Sequence, residues 1–258
     1  MNTEPTPSRP SDGFATEAQT FLDILNATDP AALSACNGWT AHEVAAHLAA
    51  GGLEVALNLE AYADGRPVPA TRAFEQREAP YRGMDDRRLR IELVGSIERV
   101  AACLDAVLGA EPDAVVPWTG RQMAVASFVT HLASEFALHR WDLVGDDETS
   151  ERLLAQPELT EHAVAVLGKA LVARSAFVAP AGFSAVLAAP GASDVAVVVD
   201  DEGPRLVSSE DSVEPAIIGD RAARLLLLWG RRPCDPRRLV ASRGAAVLAA
   251  VQAMLAGY

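Results

Sequence analysis

Thr130-His131-Leu132-Ala133-Ser134-Glu135-Phe136-Ala137-Leu138-His139-Arg140-Trp141-Asp142-Leu143 reads as a helix that sets a carboxylate and an imidazole one turn apart. At about 100° per residue, Glu135 and His139 lie roughly 40° from each other on one face. Phe128, Leu132 and Leu138 point the same way and mark the side that meets a core. Burying an acid and a histidine in that stripe costs free energy unless something compensates. A divalent metal compensates: histidine nitrogen and carboxylate oxygen are ordinary zinc ligands, and a catalytic zinc takes three protein groups and a water. His131 stands two turns before His139, roughly 12 Å along the axis at about 1.5 Å per residue, so those two rings do not share one ion.

The third ligand must come from another segment. Gly38-Trp39-Thr40-Ala41-His42-Glu43-Val44-Ala45-Ala46-His47-Leu48-Ala49 opens a helix with a capping box, Thr40 with Glu43. Its apolar stripe runs through Val44, Leu48 and Val55. His47 is at the edge of that stripe, about 60° from Val44, and is the candidate ligand. His42 falls on the opposite side, which is expected to be solvated. His42-Glu43 followed by His47 is one residue too long for the zincin motif. At a spacing of five the rings point about 140° apart and do not chelate one ion from a single helix. The same pattern also fits a hydrogen-bonded core histidine and an ordinary surface Glu–His pair, and spacing does not choose among these readings.

A His in a helix opened by Trp-Thr, followed well downstream by Glu-x3-His-Arg-x-Asp, resembles the mycothiol-dependent maleylpyruvate isomerase family. By motif order and spacing the resemblance covers about the first 150 residues. It implies a DinB-like four-helix bundle with zinc, or another divalent metal, on His47, Glu135 and His139, the residues that helix geometry also selects. Ile217-Ile218-Gly219-Asp220 and Leu228-Trp229-Gly230-Arg231 resemble the family's C-terminal domain more weakly. The resemblance also implies mycothiol, the small thiol of actinobacteria, as cosubstrate. Thiolate addition to a conjugated double bond, rotation and elimination would then isomerise a maleylpyruvate-like acid; other chains of this kind would transfer the thiol to an electrophile. A carboxylate substrate needs a cationic clamp, and the resemblance points to an arginine of the second domain, with Arg231 or Arg232 as candidates. That pair equally suits a cationic helix C-cap. Asp142, one turn past His139, either holds an imidazole N–H or pairs with an arginine.

The 258 residues suit one or two domains, and half of them are hydrophobic, enough for a real core. A net charge of −13 argues against a phosphate-tracking surface and hence against nucleic acid as partner. Cys36, Cys103 and Cys234 are odd in number and far apart, which argues for a reducing compartment and against a disulfide framework or thiolate zinc site. Each reads as an inert small hydrophobe. No apolar run approaches the roughly 18 residues of a membrane span. A cytoplasmic protein is expected, with a small thiol and a small electrophile as its partners.

The expected fold is α+β. Residues 1–13 read as a disordered tail, 14–150 as a metal-binding four-helix bundle, and 151–258 as a small α+β domain. The bundle helices are expected over Phe14–Ala27, Ala41–Ala63, Asp85–Leu108 and the Glu135/His139 segment ending near Val144. The second and fourth are expected to be neighbours, since bundle metal sites draw on facing helices. Val68–Gly83 reads as a long connection, Pro112–Gly120 as a loop carrying Trp118, and Asp146–Ser150 as an acidic linker. Trp39 and Trp141 are assigned to packing. Leu159–Ser175, Arg221–Trp229 and Ala245–Leu255 read as helices. Phe183–Leu187, Val195–Val199, Arg205–Val207, Val213–Ile218 and Arg238–Val240 read as short strands. The function expected is a zinc-dependent, thiol-using isomerase or S-transferase. The alternative is a non-catalytic metal-binding sensor or interaction module on the same fold.

Overall fold

Helices build the first half of the chain and a mixed sheet organises the second in the computed structural model, which describes residues 9–36, 38–168, 172, 175–209 and 214–256. The fold is α+β. Two units divide it, Met1–Val144 and Gly145–Tyr258. No helix among the described residues is long and apolar enough to cross a membrane.

The first unit runs α1 (Asp12–Ala27), α2 (Ala41–Ala63), α3 (Phe74–Arg82), α4 (Asp86–Ala110), β1 (Val115–Trp118), β2 (Arg121–Ala124) and α5 (Ser127–Val144). The four long helices pack as a bundle, α2 against α4 and α1 against α5, while α2 and α5 meet over a shorter stretch. Thr40 fixes the start of α2: its Oγ1 accepts from the Glu43 N–H and the Glu43 carboxylate accepts from the Thr40 N–H at 2.8 Å. Phe14 and Phe21 of α1 sit on Phe136 of α5, with ring centroids 6.3 and 5.7 Å apart. Gly13 permits that approach, because a Cβ there would lie 2.5 Å from Val129 Cγ1.

Three segments differ from the sequence reading. Residues 1–8 of the expected tail lie outside the described residues, but 9–13 belong to the ordered chain. Ser11 is buried, with its N–H and Oγ donating to Asp105 at 2.9 Å, and α1 begins at Asp12. The connection Val68–Gly83 contains α3, a short polar helix with Pro80 inside and no side-chain cap at Ala73, so neither period nor punctuation announces it. Pro112–Gly120 carries half of a hairpin: β1 pairs with β2 through Thr119 and Gly120, both at positive φ, the backbone of a tight two-residue turn. The hairpin is tied to the connection by Thr119 N–H donating to Thr71 Oγ1 at 2.9 Å. The connection is tied to α2 by Arg72, whose backbone N–H, Nε and Nη2 all donate to the buried carboxylate of Glu54 at 2.6–2.8 Å. That pair holds α3 over the middle of α2.

The second unit contains α6 (Glu148–Leu154), α7 (Pro157–Leu167), β3 (Phe183–Ala188), β4 (Asp194–Asp200), β5 (Gly203–Ser209), β6 (Ile217–Gly219), α8 (Arg221–Leu228), β7 (Leu239–Val240) and α9 (Ala245–Leu255). The sheet order is β5-β4-β3-β6-β7; β3 and β6 are parallel and the other pairs antiparallel. The helix expected over Leu159–Ser175 is α7; residues 169–171 and 173–174 lie outside the described residues, as does Val213 from the expected Val213–Ile218 strand. Asp146–Ser150 is not a linker. Asp147 caps α6 by accepting from Ser150 N–H at 2.6 Å, and Asp146 lies 2.9 Å from Arg238, which also reaches Glu151 and Asp220. The acidic run looked like solvated punctuation because its cation, Arg238, lies more than ninety positions downstream of Asp146.

Two outcomes test this packing. Phe21→Ala empties a fully buried site on the α1–α5 seam and is expected to cost about 3–5 kcal/mol by chemical denaturation. Glu54→Gln is expected to cost about 1–2 kcal/mol at neutral pH, less than for a fully enclosed pair because Arg72 is half exposed. Burial raises the Glu54 pKa, but the bonds from Arg72 outweigh it and leave the value below 4.5. The contribution is therefore complete above about pH 4.5 and is lost as pH falls through the depressed folded value. The gap between wild type and variant, followed by urea denaturation, narrows in acid; a gap constant down to pH 3 would contradict the ion pair.

Candidate metal centre

His47 projects from α2, Glu135 and His139 from α5, and one ligand atom from each lies within 4.8 Å of the others. His47 Nε2 is 3.1 Å from Glu135 Oε2, and His139 Nε2 is 3.8 Å from the same oxygen. The ring centroids are 5.1 Å apart and meet nearly edge to face. His131, excluded from a shared ion by its spacing, is not part of this group. His42 is less solvated than its helical position implied: its ring nitrogens lie 3.4 Å from Asp86 Oδ1 and 3.3 Å from the Arg82 carbonyl.

Each histidine presents Nε2 to Glu135 because Nδ1 is held from behind. Asp142 Oδ2 lies 2.8 Å from His139 Nδ1, one turn along the same helix, with its carboxylate fully buried. Glu78 Oε1 lies 2.7 Å from His47 Nδ1, and its other oxygen accepts from Arg82 Nη2 at 2.9 Å. Arg82 Nη1 in turn donates to Glu43, the capping-box residue, at 2.7 Å. The start of α2, all of α3 and the ring of His47 are thus joined in one chain of charge-assisted bonds. Trp39 closes the top, 5.3 Å from the His47 ring and 6.4 Å from that of His139, with the Arg82 guanidinium over its face at 4.8 Å. Its role is therefore more than core packing.

Electrostatics follow from this enclosure. Burial disfavours a charge on His47, but the carboxylates of Glu135 and Glu78 outweigh that and raise its pKa. Burial also opposes charge on Glu135, yet His47, His131 and His139 together pull its pKa strongly down. His139 goes the other way: burial lowers its pKa, and Asp142 only partly offsets the effect. Two histidines in one cluster are thus shifted in opposite directions.

The donor set suits a divalent ion. Two imidazole nitrogens and a carboxylate oxygen form a common three-ligand catalytic zinc set, and both rings are oriented by carboxylates on the opposite nitrogen. A second convergence lies behind His139, where Cys36 Sγ donates to Asp142 Oδ2 at 3.0 Å and lies 3.9 Å from His139 Nδ1. Its 2.8 and 3.0 Å separations are hydrogen-bond lengths, and we read it as the support of His139. Cys36 is accordingly not a remote inert thiol.

Sequence reasoning missed Glu78, Arg77, Arg82 and Cys36. The first three stand on α3, which had no readable period, and Cys36 lies in a loop whose approach to α5 depends on the Ala35 N–H bond to the Asp142 carbonyl at 2.7 Å. Trp118 proves to be buried on β1, against Phe128 and His131. In the second unit, Arg231 donates from Nη1 to the Trp229 carbonyl at the end of α8, as a C-cap does, and Arg232 is exposed. A larger depression of about 420 Å³ in that unit is lined by Glu151, Asp220, Arg221 and Arg238, whose charges are largely matched among themselves and with Asp146.

The profile of the mycothiol maleylpyruvate isomerase N-terminal domain matches residues 13–144. No curated protein matches the chain. Among solved structures, the chain resembles a mycothiol-dependent maleylpyruvate isomerase with a TM-score of 0.62 at 17% identity, over 91% of this chain and 92% of the other. A histidine-to-alanine mutant of such an isomerase superposes with a TM-score of 0.67 at 14% identity and the same coverage. The backbone likeness carries the fold, the profile spans about half of the sequence, and the chain belongs to the mycothiol-dependent maleylpyruvate isomerase family.

Proposed function

We propose that this chain is a metal- and thiol-dependent enzyme in which His47, Glu135 and His139 hold a divalent ion, zinc by donor type. Mycothiol is the cosubstrate we assign, for cis–trans isomerisation of a maleylpyruvate-like acid or S-transfer to an electrophile. The observation that carries this reading is the convergence of two Nε2 atoms and one carboxylate oxygen, each ring braced by a carboxylate at Nδ1. When bound, the ion supplies Lewis-acid polarisation and lowers the pKa of a coordinated water or thiol.

The chain's own residues supply orientation and enclosure. Glu78 and Asp142 fix the ring planes and keep the Nε2 atoms turned inward. Trp39 and the Arg82–Glu43 bridge cover the His47 side, which limits water and strengthens every charge interaction inside. Arg231 and Arg232 remain our candidates from the second unit for clamping a substrate carboxylate, although Arg231 is already engaged at the end of α8. Three free cysteines fit a cytoplasmic location.

Metal analysis of the purified chain is expected to give near-stoichiometric zinc, with a large loss in His47→Ala; equal content in both would sink the ligand assignment. Glu78→Gln and Asp142→Asn should each weaken zinc binding by about 10–100-fold in chelator competition. The His47 pKa is raised above 6.5, so a proton occupies the ring below that value and must leave as metal binds. Zinc affinity should therefore fall steadily as pH drops through the slightly acidic range, and a flat profile from pH 8 to 6 would contradict it. On the cobalt-substituted chain, added mycothiol should produce a sulfur-to-metal charge-transfer band; its absence, with metal bound, would favour a non-catalytic binding module.

A further inference from the structure

Arg77 is the charged group that the metal and its supports leave without a task. It stands on α3 directly before Glu78 and is only 6% exposed. Among the described residues nothing accepts a hydrogen bond from its Nε, and no carboxylate lies within ion-pair distance of it. Its guanidinium rests on the Phe74 ring at 4.3 Å. Glu135, Glu78 and Glu54 are near enough to act on it electrostatically but do not touch it. Arginine keeps its charge in proteins, and burying a guanidinium with unused donors is expensive. The helix does not need it as an anchor, since Glu78 and Arg82 already fasten α3 to α2.

Arg77 borders a cavity of about 30 Å³ whose wall also includes His47, Glu135, His131, Trp118 and Gly51. Gly51 lies one turn beyond His47 on α2, and a Cβ added there would meet nothing within 4 Å. The space therefore joins a ligand-bearing face of the metal cluster to a buried, underused guanidinium, and it has room for a small planar group. A carboxylate matches it in charge and in its capacity to accept two parallel N–H bonds from arginine.

We propose that Arg77 receives a carboxylate of the electrophilic substrate in this cavity, beside the metal position. The assignment deepens the functional reading above and rests on it for the identity of the substrate; the anion subsite itself stands on the cavity and the guanidinium. In a maleyl group the carboxylate is attached directly to the cis double bond. Holding it fixes the alkene relative to the metal cluster, so Arg77 would determine which electrophiles react. It is an acid-specific clamp within the first unit, independent of Arg231 and Arg232.

Maleate is the probe, titrated calorimetrically into the full-length chain with its zinc content measured in parallel. Wild type is expected to bind maleate, and Arg77→Gln to bind it about thirtyfold or more weakly. Arg77→Lys should fall between, and Gly51→Leu, which fills the cavity, should also lose binding. Zinc content should be unchanged in all three, and Arg88→Gln, at an exposed position of α4, should bind as wild type does. Circular dichroism checks the helices; if Arg77→Gln does not fold, Arg77→Lys and Gly51→Leu decide. Wild-type affinity in both Arg77→Lys and Gly51→Leu, in Arg77→Gln where it folds, or no maleate binding by wild type, overturns the proposal. Maleate binding that depends on Arg77 in a chain that takes up no zinc would instead keep the clamp and remove the metal reading.

Discussion

An imidazole gripped at both nitrogens by carboxylates is the constraint on which the first unit depends. His47 comes from α2, Glu78 from α3 and Glu135 from α5, so satisfying one ring fixes three elements. Three carboxylates, Glu78, Glu135 and Asp142, surround two histidines where little water reaches. Their charge is tolerable only with cations in contact or hydrogen bonds at every lone pair. The rest of the unit reads as provision for that: Arg82 shared between Glu78 and Glu43, Arg72 holding α3 in place through Glu54, and Trp39 closing the top.

This dependence explains what the sequence made legible. The bounds of α2 could be read because Thr40 and Glu43 start it and Asp64-Gly65 stop it, all local signals. The common face of Glu135 and His139 could be read because helical spacing is arithmetic. The strands Phe183–Ala188 and Asp194–Asp200 stood out as short apolar runs between turn residues, the second rich in valine. Glu78 could not be found this way. It acts across 31 positions from a nine-residue helix whose polar composition resembles a loop, and its partner is chosen by tertiary packing. The same holds for Cys36 with Asp142 and for Arg238 with Asp146. Local periodicity locates elements; long-range pairing among polar groups leaves no periodic trace.

The two units are also unequally informative. The family profile stops at residue 144, where the first unit ends, and the candidate ligand cluster, its supports and the Arg77 cavity all fall inside it. In the second unit the buried polar interactions serve the fold. Asp220 caps α8 while receiving Arg238, and Arg224 donates to the Ser193 carbonyl at 2.7 Å. A charge already matched by its neighbours has little left to offer a ligand, whereas the buried Nε of Arg77 has no acceptor and its guanidinium no ion-pair partner among the described residues.

The remaining question is why the cluster should be a ligand set rather than a hydrogen-bonded core. A polar core closes its distances: each donor moves to about 2.7–3.0 Å from an acceptor, as His47 does with Glu78 and His139 with Asp142. On the inward side only His47 closes on an acceptor, Nε2 lying 3.1 Å from Glu135 Oε2. His139 Nε2 stays 3.8 Å from Glu135 Oε2, too far for a hydrogen bond, although both groups stand one turn apart on one helix. With bonds of about 2.0–2.1 Å, two ligands on a tetrahedral ion lie roughly 3.3 Å apart. The observed 3.1 and 3.8 Å bracket that separation, while the outward contacts fall well below it. Rings clamped from behind, with inward separations near that of two ligands on one ion, are the geometry on which the proposed metal site rests.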